Sequence, residues 1–216
     1  MAITISTGTQ VYIASTYGAS VTMSAISNAS EAVATLAGGH GVVVGDYLEV
    51  TSGWDLLTGR IVRAKTVATN DITFETINTA STAKFPDSTG TGSIRRITAW
   101  TSITQIKDVG TSGGDLQFAD VTTIVDRIQK QIPTTRSPIQ LDFTVYDDPS
   151  LAWYAIVNSA AEAATATGIK LLFPNSSKLV GNGYFSIQTT PSVASNAPLT
   201  HKVGFSAVST NTRYTT

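Results

Sequence analysis

The stretch Ile139-Gln-Leu-Asp-Phe-Thr-Val-Tyr146, followed by Asp147-Asp-Pro149, decides the fold. Ile139, Leu141, Phe143 and Val145 alternate with Gln140, Asp142, Thr144 and Tyr146, the period of two that buries one face of a strand and leaves the other polar. Asp148 then offers an N-cap carboxylate and Pro149 suits a first helical position, so a helix is expected to open here. Leu151, Tyr154, Val157 and Ala161 form one apolar stripe, widened by Trp153, Ile156 and Ala160. The pattern predicts an end near Gly168 with a left-handed cap.

Upstream, the Ser112-Gly-Gly-Asp115 turn opens a segment with two readings. Val121, Ile124, Val125, Ile128 and Ile132 have helical spacing, while Phe118, Ile124, Ile128 and Ile132 also fit one strand face. The pairs Thr122-Thr123 and Ile124-Val125, with Pro133 and Pro138 beyond, tilt residues 115–137 toward a long extended hairpin arm. Strands are expected through Ile94–Trp100 and Ile103–Gly110. Downstream, Ile169–Phe173, Lys178–Val180, Gly183–Gln188 and Leu199–Ala207 read as a meander, and the polar tail Thr210–Thr216 reads as loose. Near the start, runs at Thr9–Ser15 and Val21–Ile26 flank a turn at Tyr17-Gly18.

Residues 31–93 read as a unit of their own. Val42–Val44, Tyr47–Val50, Arg60–Arg63 and Asp71–Glu75 are strand candidates separated by turn chemistry, and Trp54 and Phe74 are the expected core of a small SH3-like barrel. Ser88-Thr-Gly-Thr-Gly-Ser93 reads as a linker back to the main domain. The expected organisation is a main domain over 1–30 and 94–216, interrupted by an inserted small β-barrel over 31–93. The fold class is mainly β, a sandwich or barrel with one flanking α-helix.

Composition narrows the function. Charged residues make up 13% of the 216 positions, the net charge is −1, and Thr, Ser, Ala and Gly are abundant. Copies of such a chain repel one another weakly and have little electrostatic pull toward nucleic acid or membrane, so self-association is the natural partnership. Cysteine is absent, which removes disulfides, thiolate metal sites and cysteine nucleophiles. No apolar run is long enough to span a membrane, and the start MAITISTGTQ has no signal-peptide pattern. The sequons Asn28-Ala-Ser30 and Asn175-Ser-Ser177 then read as turns.

Catalytic constellations are missing. His40 and His201 have no metal-ligand spacing. Asp142, Asp147 and Asp148 form the best acidic cluster, but helix capping accounts for the last two. Gly38-Gly39-His40-Gly41 lacks a phosphate-loop context, and no Gly-x-Ser-x-Gly elbow is present. The expectation is a protein that is not an enzyme and takes no metal or cofactor. Two rival readings are a carbohydrate-binding or adhesin-like module stacking sugars on Trp54, Trp100 or Trp153, and a hydrolase using Asp142 and Asp148.

Trp100-Thr-Ser-Ile-Thr-Gln-Ile106, Ser112-Gly-Gly-Asp-Leu-Gln-Phe118, Gln131-Ile-Pro-Thr-Thr-Arg-Ser137, Phe173-Pro-Asn-Ser-Ser177 and Thr212-Arg-Tyr214, in this order and spacing, resemble the major tail tube protein family of siphophages, whose tails are long and non-contractile. The resemblance covers most of 1–30 and 94–214. It implies two packed β-sheets, stacked hexameric rings, and a tube that conducts DNA from capsid to host cell. It also implies a virion location after synthesis in the host bacterial cytoplasm, with tape measure protein and tail terminator and initiator proteins as partners. Six copies lending about four strands each, about 4.8 Å apart and tilted about 40°, give an inner barrel roughly 48 Å across, wide enough for duplex DNA. In that setting Asp115, Phe118, Ile124, Ile128, Ile132, Pro133 and Arg136 are the contact arm between rings or subunits. Gln140, Asp142, Thr144 and Lys202 are the candidates for the lumen, with the opposite strand faces as the alternative phase. The insertion is expected to face outward as a dispensable decoration.

Overall fold

Strand β10 (Gln140–Tyr146) has the expected phase, with Leu141, Phe143 and Val145 buried and Gln140 and Asp142 exposed. The structure, a computed structural model describing residues 6–215, places β10 between β7 (Ile106–Ser112) and β13 (Thr200–Ala207), all antiparallel. The next neighbour of β13 is β12 (Lys178–Ile187), but only from Gly183 onward; Lys178–Gly183 pair instead with β11 (Thr167–Leu172). So β12 passes from one layer to the other. A side chain at Gly183 would put its Cβ 2.2 Å from the Ser206 carbonyl and 2.7 Å from the Phe205 ring, so the crossing needs glycine.

The opposing layer is β6 (Gly92–Ile103), β1 (Gln10–Ile26), β11 and the first half of β12. Between the layers lie Val11, Ile13, Phe143, Val145, Ile169, Leu171, Val203 and Phe205, joined by Trp153 and Val157 of helix α1 (Ala152–Glu162). The chain is thus mainly β with one flanking helix, as its pattern predicts.

Several local expectations are corrected. Asp148 is not the helix cap: the N-cap position is Leu151, without a side-chain bond. Asp148 Oδ1 instead accepts from the Ser150 amide and hydroxyl, a local turn one step before the helix, and Pro149 lies outside it. The helix stops at Glu162, with Ala164 rather than Gly168 in the left-handed region at φ 46°. Gly168 lies in β11, where its amide donates to the Tyr17 hydroxyl at 2.8 Å and a Cβ would meet Ile61 at 2.7 Å. β1 runs unbroken through Tyr17-Gly18, absorbing register shifts between Ala14 and Ser20 instead of turning. The tail is not loose: β14 (Thr212–Tyr214) pairs with β12, and Tyr214 is buried.

Residues 31–93 supply β2 (Val33–Leu36), β3 (Tyr47–Ser52), β4 (Ile61–Ala68) and β5 (Asp71–Phe74). Pairings β1–β2, β2–β5, β5–β4, β4–β3, β3–β6 and β6–β1 close a barrel around Trp54, Phe74, Leu48 and Met23. Two of its strands, the last part of β1 and the first part of β6, which opens at Gly92, continue directly into the sandwich. Val42–Val44 form a loop with Val43 and Val44 exposed, while β2, too short to show a clear alternation, stood unread in the sequence. The stretch 88–93 is no linker. The Trp54 indole donates to the Pro86 carbonyl and Thr89 hydroxyl, and Gly90 packs so tightly that a Cβ would lie 2.6 Å from the Trp54 ring.

The barrel is joined to the sandwich over a broad junction. Tyr47 and Ile61 pack with Ala14, Ile97, Val180 and Tyr214. Tyr214 Oη accepts from the Arg63 amide at 2.8 Å, Asn182 donates to Glu49 at 3.0 Å, and Ser209 donates to the Gly59 carbonyl at 2.8 Å.

Candidate functional site

Among the described residues no group of three or more His, Asp and Glu side chains is placed to hold a metal ion. His201 is buried, its Nε2 2.6 Å from Asp147 Oδ1 and its Nδ1 2.7 Å from the Gln188 carbonyl. Both ring nitrogens meet acceptors, so no serine is positioned against the ring and the His–Asp pair braces β13 against the helix entry. Trp54 and Trp153 are each 1% exposed and cannot stack on a sugar. Asn175 Oδ1 caps its own turn through Ser177, and Asn28 donates to the Thr79 and Phe85 carbonyls, so both sequons are structural. No helix among the described residues is long and apolar enough to cross a membrane.

Among the described residues two features stand without a partner, and both are surfaces. The first is the arm. β8 (Leu116–Asp120) and β9 (Gln131–Arg136) form a separate two-stranded sheet, with Phe118 opposite Pro133 and Ile132 opposite Ala119. The extended reading holds for the shaft, and the segment between the strands is a turn, not helix. Gly113 and Gly114 at its root both take left-handed angles, φ 78° and 81°, and a side chain on Gly113 would strike the Pro138 carbonyl at 1.9 Å.

The arm tip is built by polar bonds. Asp120 accepts from the Thr122 amide and hydroxyl and from Gln129; Asp126 accepts from Lys130 and from the Thr123 amide and hydroxyl. These bonds hold both carboxyl groups below the usual aspartate range, from Thr122 foremost at Asp120 and from Lys130 foremost at Asp126. With the polar groups satisfied locally, the aliphatic side chains point outward: Ile124 is 104% exposed, Val125 85% and Ile128 79%. The tip thus exposes a group of aliphatic side chains on a preorganised turn.

The second feature is the layer β7-β10-β13-β12. One face joins the core. On the other, register places Gln140 beside Ser112 and Ser206, Asp142 beside Gly110 and Gly204, and Thr144 beside Asp108 and Lys202. Tyr184 and Ser186 of β12 extend this face. The four residues singled out from sequence, Gln140, Asp142, Thr144 and Lys202, therefore share one largely polar surface, interspersed with Gly110, Gly204 and serines and extended by Tyr184. Both ends of the layer are open: β7 has no neighbour beyond β10 among the described residues, and β12 has no strand on its other side past Gly183. These free edges were not legible in the sequence, because strand order is a property of the whole topology.

A third cluster went unread. Lys170 Nζ stands 4.4 Å from the Trp100 ring, 4.7 Å from Tyr12 and 5.6 Å from Tyr47, an aromatic enclosure without a carboxylate. Burial, with repulsion from Lys178, pulls its ammonium from 10.5 to about 8. The folded chain thus holds this proton less tightly than the unfolded one. The residue's contribution to stability is full above pH 10.5 and is lost as pH falls through about 8. The 13Cε shift of Lys170 is expected to titrate near pH 8; a midpoint at the ordinary lysine value would contradict the enclosure.

Comparison with known proteins bears on these surfaces. A family model described as phage tail tube protein (TTP) matches residues 52–216, which take in β4, β5 and β6 of the barrel and the whole chain after them. No curated protein matches the chain.

Proposed function

The chain belongs to the phage tail tube protein family, and from that premise we propose that six copies close into a ring, with rings stacking into a tube that conducts DNA. The family makes it a structural component of the tail. The observation that carries the ring is the four-stranded layer with two free edges. Exposed edges invite pairing, and a closed barrel removes them. Strand directions alternate from β7 through β10 and β13 to β12. A rotation about the tube axis preserves direction, so β7 of an incoming copy meets β12 antiparallel and the alternation continues across the interface.

In this arrangement the face of Gln140, Asp142, Thr144 and Lys202 lines the lumen. Its charged members, Asp108, Asp142 and Lys202, leave it slightly acidic. A conduit that neutralised phosphates would gain salt-sensitive affinity and slow its cargo. The arm, carrying Asp115, Phe118, Ile124, Ile128, Ile132, Pro133 and Arg136, reaches the next ring. Tape measure protein within the lumen, and terminator and initiator proteins at the tube ends, complete the assembly by family resemblance.

The native absence of cysteine makes cross-linking a clean test. With Ser112→Cys on β7 and Ser186→Cys on β12, a bismaleimide spanning about 10 Å, roughly two strand spacings, is expected to link assembled copies into a ladder ending at a circular hexamer. Tubes that yield only uncross-linked chains, or a ladder closing at another number, would contradict the proposed ring.

A further inference from the structure

We propose that a pocket between the barrel and the C-terminal segment binds a small oxyanion, a carboxylate or a phosphate group, through Arg60 and Lys84. The pocket has a volume of about 400 Å³ and is lined by Arg60, Asn78, Ser81, Lys84 and Phe85 from the barrel side and by Thr210 from the other. No carboxylate lines it. Every polar side chain there offers a donor, and most donors are unused among the described residues. Lys84 has no ion pair, Ser81 Oγ no bond, and Asn78 uses only Oδ1, which accepts from the Ala80 amide.

Arg60 is the least satisfied. Its Nη2 donates to the Thr212 hydroxyl at 3.0 Å, while its Nε is buried and unbonded. Arg63, Arg95 and Arg96, by contrast, each face a carboxylate. A half-buried guanidinium without an anion carries a desolvation cost that an oxyanion would offset with charge-assisted hydrogen bonds. Burial accordingly lowers the proton affinity of Arg60. Lys84, exposed at the rim, adds a second positive charge, and Asn78 and Ser81 supply neutral donors. A lining with two cations and two neutral donors, and without a competing acid, suits an anion and disfavours a metal ion or a sugar ring.

The test is equilibrium dialysis of the full chain with radiolabelled phosphate at constant ionic strength, then competition with acetate. One saturable site per chain is expected. Lys84→Gln, at an exposed position, should weaken it about fivefold or more, the loss of one charge-assisted contact. Arg60→Lys, which keeps the charge but not the planar fork, should also weaken it, and Lys107→Gln on distant β7 should leave it unchanged. Displacement of phosphate by acetate would assign the site to carboxylates as well, including an acidic side chain of another protein; phosphate binding that acetate does not displace would restrict it to phosphate groups. No saturable binding of either anion, or binding indifferent to Lys84→Gln, would overturn the proposal.

Discussion

Replacing Ile124 and Ile128 together with Asp is expected to leave each copy folded and to abolish tubes. Both side chains lie on the arm tip, fully or nearly fully exposed, and neither packs on the core. The turn beneath them is held by Asp120, Thr122, Thr123, Asp126 and Lys130, which the substitutions do not touch. Circular dichroism and the melting temperature should therefore match the parent. In the proposed tube each isoleucine is buried against the next ring, contributing about 1.5–3 kcal/mol, and a carboxylate in its place would meet an apolar surface without a partner. The loss repeats at every copy of a ring, so stacking should fail altogether. Double-variant tubes of normal length in negative-stain micrographs would remove the arm from the inter-ring contact.

Excising residues 31–93 and joining 30 to 94 is expected to prevent folding. The sequence pattern favours a dispensable decoration, but the barrel and sandwich share β1 and β6. Removal strips β2 and β3 from those strands and exposes Met23 and Ile94, which are buried in the barrel core. It also uncovers Ala14, Ile97, Val180 and Tyr214, whose cover is Tyr47 and Ile61. The glutamate that pairs Arg95 and receives Asn182 leaves with the segment. Losses of this number and kind exceed the 5–15 kcal/mol by which domains are stable. The measurement is soluble yield and circular dichroism of the excised chain; a cooperative unfolding transition at near-native temperature would show the barrel to be separable after all.

The contrast shows where the sequence is informative. β10 is legible because its neighbours bury one face and leave the other wet, so the pattern Leu141, Phe143, Val145 carries its own phase. The lumen candidates Gln140, Asp142, Thr144 and Lys202 follow from the same alternation. The arm is legible as an element with unused aliphatic residues, although its period fits helix and strand alike, and only the pairing of Phe118 with Pro133 separates them. The role of Asp148 is not legible locally, because an aspartate before a proline satisfies a turn as readily as a helix end. Gly168 sits beyond the helix because close packing on Ile61, and not a left-handed angle, demands glycine there. The barrel boundary, the free edges of β7 and β12, and the enclosure of Lys170 arise from contacts between residues far apart in the chain, which no local pattern encodes.

In the proposed tube the layer β7-β10-β13-β12 closes across copies into the wall of a conduit. Helical reconstruction of assembled tubes by electron cryo-microscopy tests it directly. The expected map has six copies per ring and an unbroken inner barrel of about 24 strands, from about four per copy. In it β7 is hydrogen-bonded antiparallel to β12 of the adjacent copy, with Asp142 facing the channel. A map in which β7 and β12 do not meet, or in which this face lies on the outside of the tube, would rule this assembly out.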